Sequence, residues 1–147
     1  MTKTMKHTIS RGKLSPAVIA ICLAAGVSAA CAKPLSVTST YDPAEIDDPK
    51  NAIGAIMKQV WAGEISNVMG SYGFSYALFE AAGKQYLISS FRDGNCTPRE
   101  CAWQVQRLSS SYKVEAAGKT FTACGELNKV DLTGDKLTIC GKETTLP

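Results

Sequence analysis

Cys96-Thr97-Pro98-Arg99-Glu100-Cys101 combines a thiol pair with two opposite charges in six residues. Catalytic redox pairs usually bracket two residues near a helix start. Here four residues intervene, and strand-like runs flank them, Gln85 to Phe91 before and Ala102 to Leu108 after. The pattern predicts a hairpin whose tip carries its own small disulfide ring. A crosslink and a proline remove loop entropy in advance, so a contact made by the tip costs less on binding. Arginine adds a permanent charge on a planar fork suited to carboxylates. Thr97, Pro98, Arg99 and Glu100 are therefore candidate partner-binding residues for an acidic cleft in another protein. Trp103, two residues past the ring, is the candidate that would flank them. The plainer reading of Arg99 and Glu100 is a solvated tip that keeps the loop soluble, and of Trp103 a core residue.

Other site chemistries find little support. The single histidine is His7, inside the leader described below, so no His-based nucleophile or usual zinc set remains after processing. The glycines are scattered at turns and form no phosphate-binding loop. Glu64, Asp93, Glu100 and Asp131 show no spacing that suggests a glycosidase carboxylate pair. The expectation is a binding protein, not an enzyme, with no metal and no cofactor.

The chain has 147 residues, enough for one domain. Lys3, Lys6, Arg11 and Lys13 precede any acid, an apolar run follows from Ala17 to Val27, and small residues stand around Ala29-Ala30-Cys31-Ala32. This is the pattern of a secretory signal peptide over residues 1–32, too short in its apolar part for a membrane span. Two routes of processing fit. A cut after Ala32 would use Ala30 and Ala32 as its small pair. Alternatively, cleavage before Cys31 would leave that cysteine lipidated. Without the leader the charge falls from +3 to −1, with 12 bases against 13 acids. No basic face for nucleic acid is implied. The expected location is the periplasm, soluble or as an outer-membrane lipoprotein. Either route leaves Cys96, Cys101, Cys124 and Cys140, an even number that implies two disulfides. Three pairings exist, and proximity favours Cys96–Cys101 with Cys124–Cys140.

The elements that must hold the ring follow from the remaining pattern. Residues 33–48 carry Pro34, Pro43 and an acid cluster, and read as a flexible linker. Asp48-Pro49 is a helix start. Ile53, Ile56, Met57 and Val60, extended by Ile65 and Val68, give an apolar face widened by Trp61. Gly54 and Gly63 each cost roughly 1 kcal/mol in a helix interior, so an end or kink is expected near Gly63. From Ser71 onward short strands alternate with turns at 81–84, 92–95, 118–119 and 133–136. The expected fold over 49–147 is a single α+β domain, with an N-terminal amphipathic helix packed on an antiparallel sheet of about five to six strands.

The ring resembles the signature loop of the inhibitor of vertebrate lysozyme family, Cys-Lys-Pro-His-Asp-Cys. Cys96, Pro98, Cys101 and the acid at Glu100 match, and Tyr86-Leu87-Ile88-Ser89-Ser90 is similar to the strand leading into that loop. Thr97 stands at the family's lysine and Arg99 at its histidine, and residues 91–95 read as an insertion. The resemblance covers about twenty residues. It implies an inhibitor of a lysozyme-like cell-wall hydrolase, with Arg99 facing the partner's catalytic carboxylates. Two other readings stand beside it. One is a structural or accessory envelope lipoprotein with no inhibitory role, and the other is a periplasmic immunity protein against a toxin.

Overall fold

The structure is a computed structural model that describes residues 31–40 and 52–147. Its centre is an antiparallel sheet built on β3 (Gly73–Ala81), β4 (Lys84–Arg92) and β5 (Cys101–Leu108). β3 and β4 pair along their whole length from Gly73↔Arg92 to Ala81↔Lys84. The turn between them places Ala82 and Gly83 at φ of 48° and 67°, the two-residue geometry that matches strand twist. Asp135 Oδ1 accepts the Ala82 N–H at 2.7 Å, which holds the alanine in that unusual conformation. The expected α+β fold and both disulfides, Cys96–Cys101 and Cys124–Cys140, are present.

One face of the sheet is covered by two short helices, α1 (Ala52–Val60) and α2 (Ala62–Asn67). Ile53, Ile56, Met57 and Trp61 pack there against Phe74, Leu87, Phe91 and Leu108. The helical path kinks at Trp61, two residues before the expected glycine. Its indole turns into the core, donates to Ser89 Oγ at 3.0 Å and stacks on Phe91 at 6.0 Å. Helical hydrogen bonds continue through this kink, from the Trp61 N–H to Met57 O at 3.0 Å and from the Ile65 N–H to Trp61 O at 2.9 Å. The expected start at Asp48-Pro49 lies outside the described residues.

The other face is covered by a second sheet of β1 (Lys33–Pro34), β8 (Val130–Thr133), β9 (Lys136–Ile139) and β10 (Lys142–Thr144). Val130, Leu137 and Ile139 pack on Phe79, Tyr86, Ile88, Trp103 and Val105. The C-terminal hairpins are therefore a second layer, not further strands of one sheet. The segment read as a flexible linker is corrected in its first half. β1 pairs with β8, and β2 (Thr38–Thr40) pairs with β3. Leu35 and Val37 pack on the inter-sheet core, and the Leu35 N–H donates to Val130 O at 2.8 Å. Pro34 is tolerated because it sits on an edge strand. Residues 41–48 lie outside the described residues.

The hairpin expected around 118–119 is also corrected. β6 (Val114–Ala117) and β7 (Phe121–Ala123) do not pair with each other. Both pair with β5, at Gln106↔Ala117 and at Trp103↔Phe121, in registers that differ by one residue. Residues 118–120 are thus a bulge along one edge. The Gly118 N–H donates to Val105 O at 2.8 Å, and Gln104 Nε2 donates to Gly118 O at 2.8 Å.

Gln106 lies beneath the helices, fully buried, and neither amide atom has a hydrogen-bond partner among the described residues. A buried polar group left in that state costs about 1–3 kcal/mol. Gln106→Met keeps the shape and removes both polar atoms. We expect its denaturant midpoint to rise, by about 1 kcal/mol of stability or more. A fall would show that the amide is satisfied in solution.

Candidate functional site

The ring forms the connection between β4 and β5. A turn precedes it, in which Asp93 Oδ1 accepts the N–H groups of Asn95 at 3.0 Å and Cys96 at 3.2 Å, and Oδ2 accepts from Asn95 Nδ2 at 2.9 Å. This carboxylate is committed to local structure. Glu64 and Asp93 line one groove of about 420 Å³ with Asn67, Val68, Phe91 and Asn95. Glu100 stands on the ring and Asp131 on β8, in separate places. Among the described residues no three of His, Cys, Asp or Glu form a metal-holding group.

Within the ring, the Thr97 N–H donates to Glu100 O at 2.7 Å and the Glu100 N–H donates to Thr97 O at 3.2 Å. Pro98 and Arg99 are thereby the two central residues of a closed turn, with proline in its favoured place. Thr97 Oγ1 also accepts the N–H groups of Glu100 at 3.1 Å and Arg99 at 3.3 Å. A hydroxyl at this position fastens the turn from inside, which a lysine side chain cannot do.

The ring also rests on a third segment. The Gly125 N–H is shared between Thr97 O at 3.1 Å and Pro98 O at 3.3 Å. Arg92 Nη1, at the end of β4, donates to Gly125 O at 3.2 Å, and Trp103 Nε1 donates to Cys124 O at 2.8 Å. Cys124 is bridged to Cys140, in the turn between β9 and β10. The ring is thus joined through residues 124–125 to the second sheet.

Thr97, Pro98, Arg99 and Glu100 are all exposed. Among the described residues, neither the Arg99 guanidinium nor the Glu100 carboxylate makes an ion pair or side-chain hydrogen bond. Trp103 is corrected: it is fully buried between the two sheets and unavailable to a partner. Its place in β5, facing the same side as Cys101 and Val105, turns it inward. Cys31 is exposed, two residues before β1, while residues 1–30 lie outside the described residues. Sequence reasoning missed Arg92 and Gly125. Neither carries a motif, and Gly125 shows its role only through a close approach in space. No family model, no curated protein and no solved structure matches this chain.

The two disulfides close chain separations of 5 and 16 residues. Chain-entropy arguments give about 2 kcal/mol for the first and about 3 kcal/mol for the second. Denaturant midpoints of Cys96→Ala/Cys101→Ala and Cys124→Ala/Cys140→Ala should fall in that order. The reverse order would mean that the ring, not the bridge between layers, carries the larger share of stability.

Proposed function

We propose that this chain is an exported cell-envelope binding protein that inhibits a lysozyme-like cell-wall hydrolase, with the ring at 96–101 as its contact element. The observation that carries this reading is the tip itself. Pro98 and Arg99 stand at the apex of a turn closed by a disulfide and by Thr97, and the guanidinium is exposed with no partner among the described residues. An unpaired cation on a disulfide-closed turn suits a cleft lined by carboxylates, the feature that glycoside hydrolases share. The four matching positions of the resembled loop point the same way.

The polarity of the domain supports it too. β1 enters beside Leu132 at the Thr133–Lys136 end of the second sheet, whereas the ring lies at the Arg92 and Cys101 end of the main sheet. Asp135 contacts the Ala82 turn, so both turns lie at the same end, away from the ring. Nine-residue strands separate the ends by about 30 Å. A chain held at Cys31 would present the ring outward. The exposed Cys31, placed directly before β1, also suits the accessory-lipoprotein reading, in which residues 97–100 tolerate substitution.

The test is capture of muramidases from envelope extract and host secretions, with vertebrate lysozyme added, by the native protein and by Arg99→Ala. Loss of one member of a desolvated charge pair costs about 2–5 kcal/mol of binding. Arg99→Ala should therefore abolish capture and inhibition, with its melting temperature unchanged. Arg99→Lys should fall between the two, because it keeps the charge and loses the fork. Capture of an unrelated envelope protein, indifferent to Arg99, would overturn the inhibitor reading in favour of the accessory one.

A further inference from the structure

Gly125 stands outside the ring and yet touches its backbone directly. Its φ is not in the left-handed region, so chain conformation does not require glycine there. Proximity does. A Cβ at this position would lie 2.4 Å from Thr97 O, 3.2 Å from Thr97 C and 3.4 Å from Cys101 Cβ. Two of these are backbone atoms of the ring and the third belongs to its disulfide, so no flexible side-chain end can swing away. A real Cβ needs more than 3.0 Å from its neighbours, and one of the two segments has to move.

The two segments are held unequally. Residues 123–125 are fixed by the pairing of Ala123 with Cys101, the bridge to Cys140, the Trp103 hydrogen bond and the Arg92 hydrogen bond. The tip from Thr97 to Glu100 is exposed throughout, and the described contact that reaches it from outside the ring is the shared Gly125 N–H. The tip is the part that yields.

We propose that Gly125 is a positioning residue for the binding tip, setting the direction in which Pro98 and Arg99 project from the domain. Its N–H clamps two successive ring carbonyls, and its missing side chain lets the ring seat against the segment bridged to the second sheet. The inference rests on the reading of the ring as the contact element and adds to it the residue that aims that element. Gly125→Ala keeps every charge on the tip and alters its direction and mobility. A rigid contact made by one guanidinium is sensitive to displacements of this size.

The experiment has two readouts on four proteins: native, Gly125→Ala, Arg99→Ala and Phe79→Leu. Phe79 stacks on Tyr86 in the inter-sheet core towards the far end of β3, so its substitution supplies a loss of stability unrelated to the ring. The first readout is the backbone order parameter of the Thr97, Arg99 and Glu100 amides in the free protein. The second is affinity for immobilised vertebrate lysozyme. We expect Gly125→Ala to lower the order parameters and weaken binding at least about tenfold, with Phe79→Leu native-like in both well below its melting temperature. Tip amides unchanged in Gly125→Ala, or loosened equally in Phe79→Leu, would overturn the positioning role. If Arg99→Ala loses binding and Gly125→Ala does not, the positioning role falls and the contact role of the ring stands. If the native protein does not bind lysozyme, that choice of partner falls, and the order parameters alone decide the role of Gly125.

Discussion

β5 is the constraint from which the structure is organised. It is hydrogen-bonded on both edges, to β4 on one side and to β6 and β7 on the other. It is also packed on both faces. Cys101, Trp103 and Val105 enter the core between the sheets, while Ala102 and Leu108 face the helices. A strand in that position has no route to local opening except through the surrounding layers. The ring closes on its first residue, Cys101. A tip attached there inherits a rigid base, although the tip itself is exposed.

The second disulfide extends this rigidity across the layers. Main sheet and second sheet meet through apolar side chains, which resist separation without specifying a fine relative position. Cys124–Cys140 supplies a fixed link between β7 and the turn after β9, and Gly125 is the next residue. The ring therefore takes its seat from both sheets at once. Arg92 completes the arrangement from β4 by holding the Gly125 carbonyl. The Gly125 N–H meets two ring carbonyls, while the end of β4 and the turn after β9 hold residues 124–125 in place. Such a cluster is a stiff mounting for a loop that makes only a few contacts of its own.

Much of this was legible in the sequence, and the exceptions have physical causes. Apolar period marked α1 through Ile53, Ile56 and Met57, and alternation marked β3, β4 and β5, because those elements bury one or two whole faces. Both disulfide pairs followed from proximity. The linker reading failed over Lys33 to Thr40 because composition outweighed a short alternation, Leu35 and Val37, that packs on the inter-sheet core from the link between β1 and β2. The hairpin expected around Gly118 failed because a glycine between two strand-like runs marks a reversal or a bulge with the same residues. Only the second edge of β5, which needed a partner along its whole length, decides between them. At the ring, residue types showed the charge and the crosslink. They could not show that Thr97 fastens the turn or that Trp103 faces inward, since both depend on partners brought in by the fold.

The position of the ring relative to the chain's entry gives the molecule a direction. β1 and the turns at Ala82 and Asp135 form one end, and the ring, both disulfides and Gly125 form the other. Staples are useful where strands end and pairing gives out, and both staples lie at the ring end. The opposite end relies on a two-residue turn held by the Asp135 carboxylate. A domain that needed only to persist would gain as much from crosslinks placed at either end, since loop closure in the unfolded chain is indifferent to where the bridge lies in the fold. Placing both beside one exposed, charged turn lowers the entropy that turn would lose on meeting a partner. On the proposed reading of the ring as the contact element, that asymmetry suits presentation of the tip.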